Sequence, residues 1–277
     1  MKDYDFYIVP TPIGNLGDIT LRAIEILKSV DLIACEDMRV TQKLLNHYSI
    51  DTKCISYHKF NEKERVNYML SQISEGKKIA LVSDAGTPLF CDPGAVLVKE
   101  LIQNNINFTA LPGANAVVTF LSHVPRNTEE FAFVGFLPRT DSQIKTLLNK
   151  YQKTDMIFYE SPNRLLATLD IIKNNNPNST VSIGRELSKV FEEVVTDNVE
   201  NIIKYFSENT LKGEIVGMVH GTTLSNDISE YDDKIKSLSN KGYSSKDISI
   251  ILLDVVMPVC DGFEFLTRQK SDSLLAS

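Results

Sequence analysis

Short runs of apolar residues alternate along the chain with longer stretches in which apolar residues return every three or four positions. The first run, Phe6 to Val9, stops at Pro10, Pro12 and Gly14. Ile19, Ala23, Ile26 and Val30 then follow at helical spacing, with Asp18 placed to open the helix. Runs at 31–35, 54–57, 79–82 and 108–111 repeat the strand pattern. Between them the spacing predicts helices through Leu44 and Leu45, over 61–74 with Val66, Met69, Leu70 and Ile73 facing inward, and over 95–103. Strands that alternate with helices in this way predict a mainly parallel sheet with helices on both faces.

Past residue 118 the apolar runs are spaced more widely. Strands are expected at 131–136, 156–159, 180–183 and 214–219, with helices at 143–151, 165–173 and 199–206. The chain therefore reads as α/β, with one α/β domain at 1–117, a second at 118–222, and a remainder at 223–277 made of a polar linker, one helix and an atypical tail.

Three strands run into loops of one kind. Val9 is followed by Pro-Thr-Pro-Ile-Gly-Asn, Val82 by Ser-Asp-Ala-Gly-Thr-Pro, and Leu111 by Pro-Gly-Ala-Asn-Ala. A single Pro/Gly turn after a strand is an ordinary connection. Three of them at strand carboxyl ends describe one shared ligand site, because parallel α/β sheets bind small molecules there. The first loop is neither G-x-G-x-x-G nor a P-loop, so a cofactor held through phosphates fits poorly. Glycine lets a flat ligand approach the main chain, and proline removes donors and fixes φ.

Bulk properties narrow the partners. The net charge of the 277-residue chain is −7, so nonspecific coating of nucleic acid is disfavoured and any RNA contact must rest on a local basic surface. Arg39, Lys43, Lys53, Lys59, Lys63 and Arg65 form one candidate group, although Glu62 and Glu64 interrupt it; Arg126, Arg139, Lys145 and Arg164 form another. No apolar run reaches membrane-spanning length. Cys35, Cys54, Cys91 and Cys260 lack C-x-x-C spacing and fit reduced thiols, and with no secretory pattern at the N-terminus a cytoplasmic protein without a bound metal is expected.

The runs Thr11 to Arg22, Cys35-Glu-Asp-Met-Arg39, Ser56-Tyr-His58, Leu81 to Pro88, Asp92-Pro-Gly94, Leu111-Pro-Gly113, Gly135-Phe-Leu-Pro138, Phe158-Tyr-Glu-Ser-Pro162 and Gly213-Glu-Ile-Val216 resemble the ribosomal RNA small subunit methyltransferase I family, a branch of the tetrapyrrole-methylase superfamily. The resemblance spans roughly residues 5 to 250. It implies two α/β domains with a cofactor cleft between them, S-adenosylmethionine as cofactor, methylation of a cytidine ribose 2′-hydroxyl in the decoding region of 16S ribosomal RNA, the small ribosomal subunit as partner, and a homodimer. It places the cofactor against Pro12, Ile13, Gly14, Asp84, Ala85, Gly86 and Pro88. Ala114, Ala116, Tyr159 and the strand start at Gly213 to Val216 line the rest.

A ribose hydroxyl is a weak nucleophile, so an acceptor beside it would help. Glu36 and Asp37 at a strand end, His58 after the next strand, and Glu160 are the candidates. Each has a plainer reading: helix capping or salt bridging for the carboxylates, a structural role for a lone histidine, and orientation of Arg164 for Glu160. Arg39, Lys43, Lys59 and Arg164 are the candidate RNA contacts. The chain departs from the family pattern at Met38, Cys91, Asn163 and 122–127, which bears on acceptor contacts more than on the cofactor loops.

Two other readings stand beside this one. A methylase of a small tetrapyrrole precursor would share the fold, but the Gly-x-Gly-Pro-Gly loop of that family is missing. The run Ile250 to Leu266 resembles the phosphoacceptor strand of a response-regulator receiver, with Asp254 at the phosphorylated position, which would suit a signalling or interaction protein. A receiver needs further strands around that one, so an altered terminus is expected rather than a working receiver.

Overall fold

The computed structural model describes residues 3–91, 94–208, 211–222, 237–244 and 246–247. Residues 1–222 make up one compact unit and 223–277 a second. The first unit contains two five-stranded sheets.

The first sheet is built from β1 (Phe6–Ile8), β2 (Leu32–Cys35), β3 (Lys53–Ser56), β4 (Ile79–Leu81) and β5 (Phe108–Ala110), in the order β3-β2-β4-β1-β5. Every pairing in it is parallel. Helices α1 (Leu21–Ser29), α2 (Met38–His47), α3 (Glu62–Ser74) and α4 (Ala95–Gln103) make the crossovers. Side chains alternate across the sheet: Phe6, Ile8, Leu32 and Ala34 enter one core, while Tyr7, Val9, Ile33 and Cys35 enter another. Both faces of β1, β2 and β4 are buried, which explains why these central strands read as continuous apolar runs. Fully burying a side chain such as Leu27 or Met69, both at 0% exposure, contributes about 1.5–3 kcal/mol.

The second sheet is mixed. It contains β6 (Phe131–Phe136), β7 (Asp155–Glu160), β8 (Thr180–Arg185), β9 (Glu193–Asn198) and β10 (Ile215–Val219), in the order β6-β7-β10-β8-β9. Only β6 and β7 run parallel; β10 is antiparallel to β7 and β8, and β9 to β8. Helices α6 (Asp141–Lys150), α7 (Pro162–Asn175) and α8 (Val199–Ser207) cover it with the core of Phe158, Leu165, Ile183 and Phe206. The expected strands are present, but β9 was not anticipated. As an edge strand it needs a partner on one side only, and its residues are half-buried or exposed, so it lacks an apolar run.

The start of α1 also differs from expectation. Thr20, not Asp18, caps the helix: its hydroxyl accepts the Ala23 N–H at 3.1 Å. Asp18 ends a short 3₁₀ turn, Leu16–Asp18, and its carboxylate accepts instead from the Ser188 hydroxyl of the β8–β9 connection.

The two sheets meet through one apolar cluster. Ile13 of the first loop joins Val117 and Phe120 of α5 (Ala116–Leu121), Ile157, Val216 and Met218 of the second sheet, and Leu187. The expected boundary near residue 118 falls inside α5.

In the second unit, a helical turn at 237–240 is followed by Gly242, and the Ser244 hydroxyl donates to Asp247 Oδ2 at 2.6 Å. The receiver-like run 250–266 with Asp254, Cys260 and most of the expected linker lie outside the described residues. No helix among the described residues is long and apolar enough to cross a membrane.

Candidate active site

Parallel register sets the carboxyl ends of three strands side by side. Ile8 of β1 pairs with Leu81 of β4 and Ala110 of β5, so the loops that follow them must meet. Hydrogen bonds then join them. Thr11 and Gly86 exchange main-chain bonds of 2.9 and 3.0 Å, the Thr11 hydroxyl donates to the Ser83 carbonyl at 3.0 Å, and the Thr87 hydroxyl donates to the Ala114 carbonyl at 3.0 Å. Gly86 has φ +79, and a Cβ there would lie 3.3 Å from Ile13 Cγ2, so the bridge requires glycine.

These loops form one wall of a cleft of about 430 Å³. The opposite wall comes from the second sheet: Phe136, Tyr159 and Glu160, with Leu187 and the Gly213 to Val216 segment. Most of the lining is apolar or main chain. Its charged side chains, Glu36, Asp84, Glu160 and Glu214, are all acids. Glu160 is paired with Arg164 and Glu214 with Lys189, and no basic side chain is among the described lining residues, so the cleft offers a phosphate no cation to bind.

Of the residues expected to bind cofactor, Ile13, Asp84, Ala85, Gly86, Ala116 and Tyr159 line the cleft. Pro12, Gly14, Pro88 and Ala114 do not. Gly14 lies against the β8–β9 connection, where a Cβ would lie 3.0 Å from the Leu187 carbonyl oxygen and collide with Lys189 Cγ. Lys189 is itself held by Glu186 at 2.7 Å and Glu214 at 3.1 Å.

Of the expected catalytic residues, only Glu36 and Glu160 line the cleft. Glu160 is 2% exposed and already engaged: Oε1 accepts the Ser161 N–H at 2.8 Å, Oε2 accepts the Thr168 hydroxyl at 2.8 Å, and Arg164 lies 3.3 Å from Oε2. Arg164 also donates to the Leu137 and Pro138 carbonyls at 3.2 and 2.6 Å. It therefore braces the β6 end and the β7–α7 turn, with its side chain still 35% exposed.

Asp37 takes the plainer of its two readings. Its carboxylate caps α2, accepting the Arg39 N–H at 2.8 Å, and it holds the Arg39 guanidinium at 2.6 Å. The guanidinium and that N–H lower its pKa to about 2. Its main-chain N–H donates to Asp84 Oδ1 at 3.0 Å. Burial raises the Asp84 pKa, opposed by this N–H.

His58 lies outside the cleft lining, half-buried at the end of β3. Its N–H donates to Asn61 Oδ1 at 2.8 Å, and its ring packs edge-on to Phe60. Arg39, Lys43 and Lys59 are exposed and also lie outside the lining.

Sequence reasoning missed Phe90, Asn115, Phe136 and Leu187, all of which line the cleft. Asn115 carried a local signal, since it caps α5 by accepting the Val117 N–H at 3.0 Å. Phe136 lay in the Gly135-Phe-Leu-Pro138 run and Phe90 two residues past Pro88, but no local pattern aimed either ring, or Leu187, at the site.

Two sheets, the first all parallel, with a ligand cleft between them at the strand ends of the first define a tetrapyrrole-methylase type of protein. Residues 5–203 match the tetrapyrrole (corrin/porphyrin) methylase family. Within it, the chain belongs to the ribosomal RNA small subunit methyltransferase I family. It is 47% identical over 217 residues to the protein of that name from Halalkalibacterium halodurans, covering 78% of this chain and 75% of the relative. It is 38% identical over 251 residues to the one from Rickettsia prowazekii, covering 90% of each. Among solved structures, uroporphyrin-III C-methyltransferase from Thermus thermophilus, complexed with S-adenyl homocysteine, superimposes with a TM-score of 0.56 at 15% identity, over 78% of this chain and 96% of that one.

Proposed function

We propose that this protein uses S-adenosylmethionine to methylate 16S ribosomal RNA in the small subunit, at the ribose 2′-hydroxyl of a cytidine in the decoding region. The observation that carries the reading is the apolar cleft whose charged side chains are all acids, built by three Pro/Gly loops. Such a site suits a sulfonium cation and disfavours a cofactor anchored by phosphate. Relatives named for small-subunit RNA methylation supply the substrate class.

When bound, the cofactor supplies an electrophilic methyl group. Ile13, Asp84, Ala85, Gly86, Ala116 and Tyr159 would hold it, with Asp84 facing its positive charge. Transfer is a displacement, so the chain's main work is to align the acceptor oxygen and exclude water. Glu36 is exposed at the end of β2 and is the group best placed to accept the hydroxyl proton. Asp37 and Glu160 act as positioning residues, one fixing α2 and the Asp84 loop, the other the β7–α7 turn. His58, Arg39, Lys43 and Lys59 belong to the surface outside the cleft, where RNA phosphates would run.

The reading assigns 1–117 and 118–222 to the two walls of the cleft, and carries a cytoplasmic location and a homodimer, which sedimentation tests. The decisive experiment incubates the protein with labelled S-adenosylmethionine and either unmodified small ribosomal subunits or a porphyrinogen. Label in the RNA at a ribose supports the reading. Label in the porphyrinogen alone overturns it.

A further inference from the structure

Four aromatic rings form a continuous ladder along one side of the cleft. Phe90 stacks on Phe133 with centroids 4.8 Å apart, Phe133 meets Tyr159 edge-on at 5.1 Å, and Tyr159 packs on Phe136 at 5.5 Å. The two ends of the ladder, Phe90 and Phe136, both line the cleft, and they are 44% and 65% exposed. Phe136 owes its place to a bulge. The β6–β7 register shifts between Phe133 and Phe136, and Gly135 has φ +70. In a regular strand residues 133 and 136 would point to opposite faces; one extra residue sets both against Tyr159. Two large aromatic rings thus stand open to solvent at a cleft mouth, one of them aimed there by a backbone irregularity.

The proposed reaction brings a ribose hydroxyl to a methyl group inside a cleft of about 430 Å³, too small for folded RNA. The target nucleotide must leave its stack, at a cost of a few kcal/mol. The cleft offers a phosphate no cation to bind, whereas a neutral flat base can enter and stack on a ring. Resting on the function proposed above, we infer that Phe90 and Phe136 form the subsite that receives the unstacked base of the nucleotide being methylated. The ladder behind them keeps the rings from turning away.

The test uses the full chain with Phe90→Leu, Phe136→Leu and the double substitution, which keep apolar volume and remove the rings, and Phe136→Trp, which restores one. Cofactor affinity is measured by calorimetry and transfer to unmodified small subunits in single turnover. Loss of stacking should slow transfer about 5- to 100-fold, with cofactor affinity within twofold of the parent and partial recovery in Phe136→Trp. A single-stranded RNA carrying 2-aminopurine should be quenched by the parent protein and not by the double variant. Unchanged transfer in the folded double variant overturns the inference. So does an equal loss of cofactor affinity, because the rings would then serve the cofactor. If the parent methylates no subunit RNA, the reaction itself has been misassigned; the quenching assay still judges the base subsite, and no quenching by the parent refutes it.

Discussion

The main-chain N–H of Asp37 donates to Asp84 Oδ1 at 3.0 Å, tying the ends of β2 and β4 together at the cleft. The two aspartates therefore do different work: Asp84 presents its carboxylate to the cleft, and Asp37 supports it through its backbone while its own carboxylate caps a helix.

Burial raises the Asp84 pKa, so its charged form is disfavoured in the folded protein. A raised carboxylate binds its proton more tightly in the folded state. Its contribution to stability is fully present below the ordinary carboxylate range and is lost as pH rises through the folded value. Asp84→Asn, which keeps an acceptor for the Asp37 N–H, should raise the melting temperature at neutral pH, with the gain fading as pH falls into the ordinary carboxylate range. It should weaken S-adenosylmethionine binding by about 1–3 kcal/mol. Calorimetric titration alongside thermal melts reads both, and a variant that binds as tightly as the parent would remove Asp84 from the cofactor site.

For Asp37 the cap decides the outcome. Asp37→Ala should lower stability by about 0.5–2 kcal/mol, while Asp37→Asn, an equally good cap, should stay within a few tenths. Cofactor affinity should hold in Asp37→Asn, because the N–H that serves Asp84 is retained. Denaturant melts of the pair make the comparison. Equal destabilisation by both would mean that the Arg39 ion pair matters more than the cap.

Glu160 is satisfied on every side by Ser161, Thr168 and Arg164. Thr168→Val should cost about 1.5–3 kcal/mol, the usual worth of a hydrogen bond to a charged group. Glu160→Gln should still transfer methyl in single turnover. General-base catalysis is worth about 10²–10⁴-fold, so a loss of that size with unchanged melting would make Glu160 the base.

Gly14 borders the β8–β9 connection so closely that Gly14→Ala should cost about 1–3 kcal/mol by overpacking and weaken cofactor binding. Adding Lys189→Ala removes the side-chain part of the clash and should recover part of the loss, leaving the contact with the Leu187 carbonyl. Thermal melts of the single and double variants test this. No recovery would place the strain in the main chain alone.

Apolar periodicity along the chain was enough to determine the alternating strands and helices of the first sheet, the three Pro/Gly loops and their convergence. These depend on contacts within about ten residues and on the rule that parallel strands end on the same side. Asp84 could be placed at the cleft from its strand end alone. The tertiary structure decided how groups far apart in the chain share their bonding capacity. The Asp37 N–H went to a carboxylate 47 residues away, Arg164 to carbonyls 26 and 27 residues away, and Asp18 to a serine 170 residues away. Phe136 and Leu187 entered the site through a bulge and a long-range packing contact that leave no local pattern. A hydrogen-bonding group can be read from its neighbours only when its partners are among them; at this cleft Asp84 and Thr87 find theirs 47 and 27 residues away.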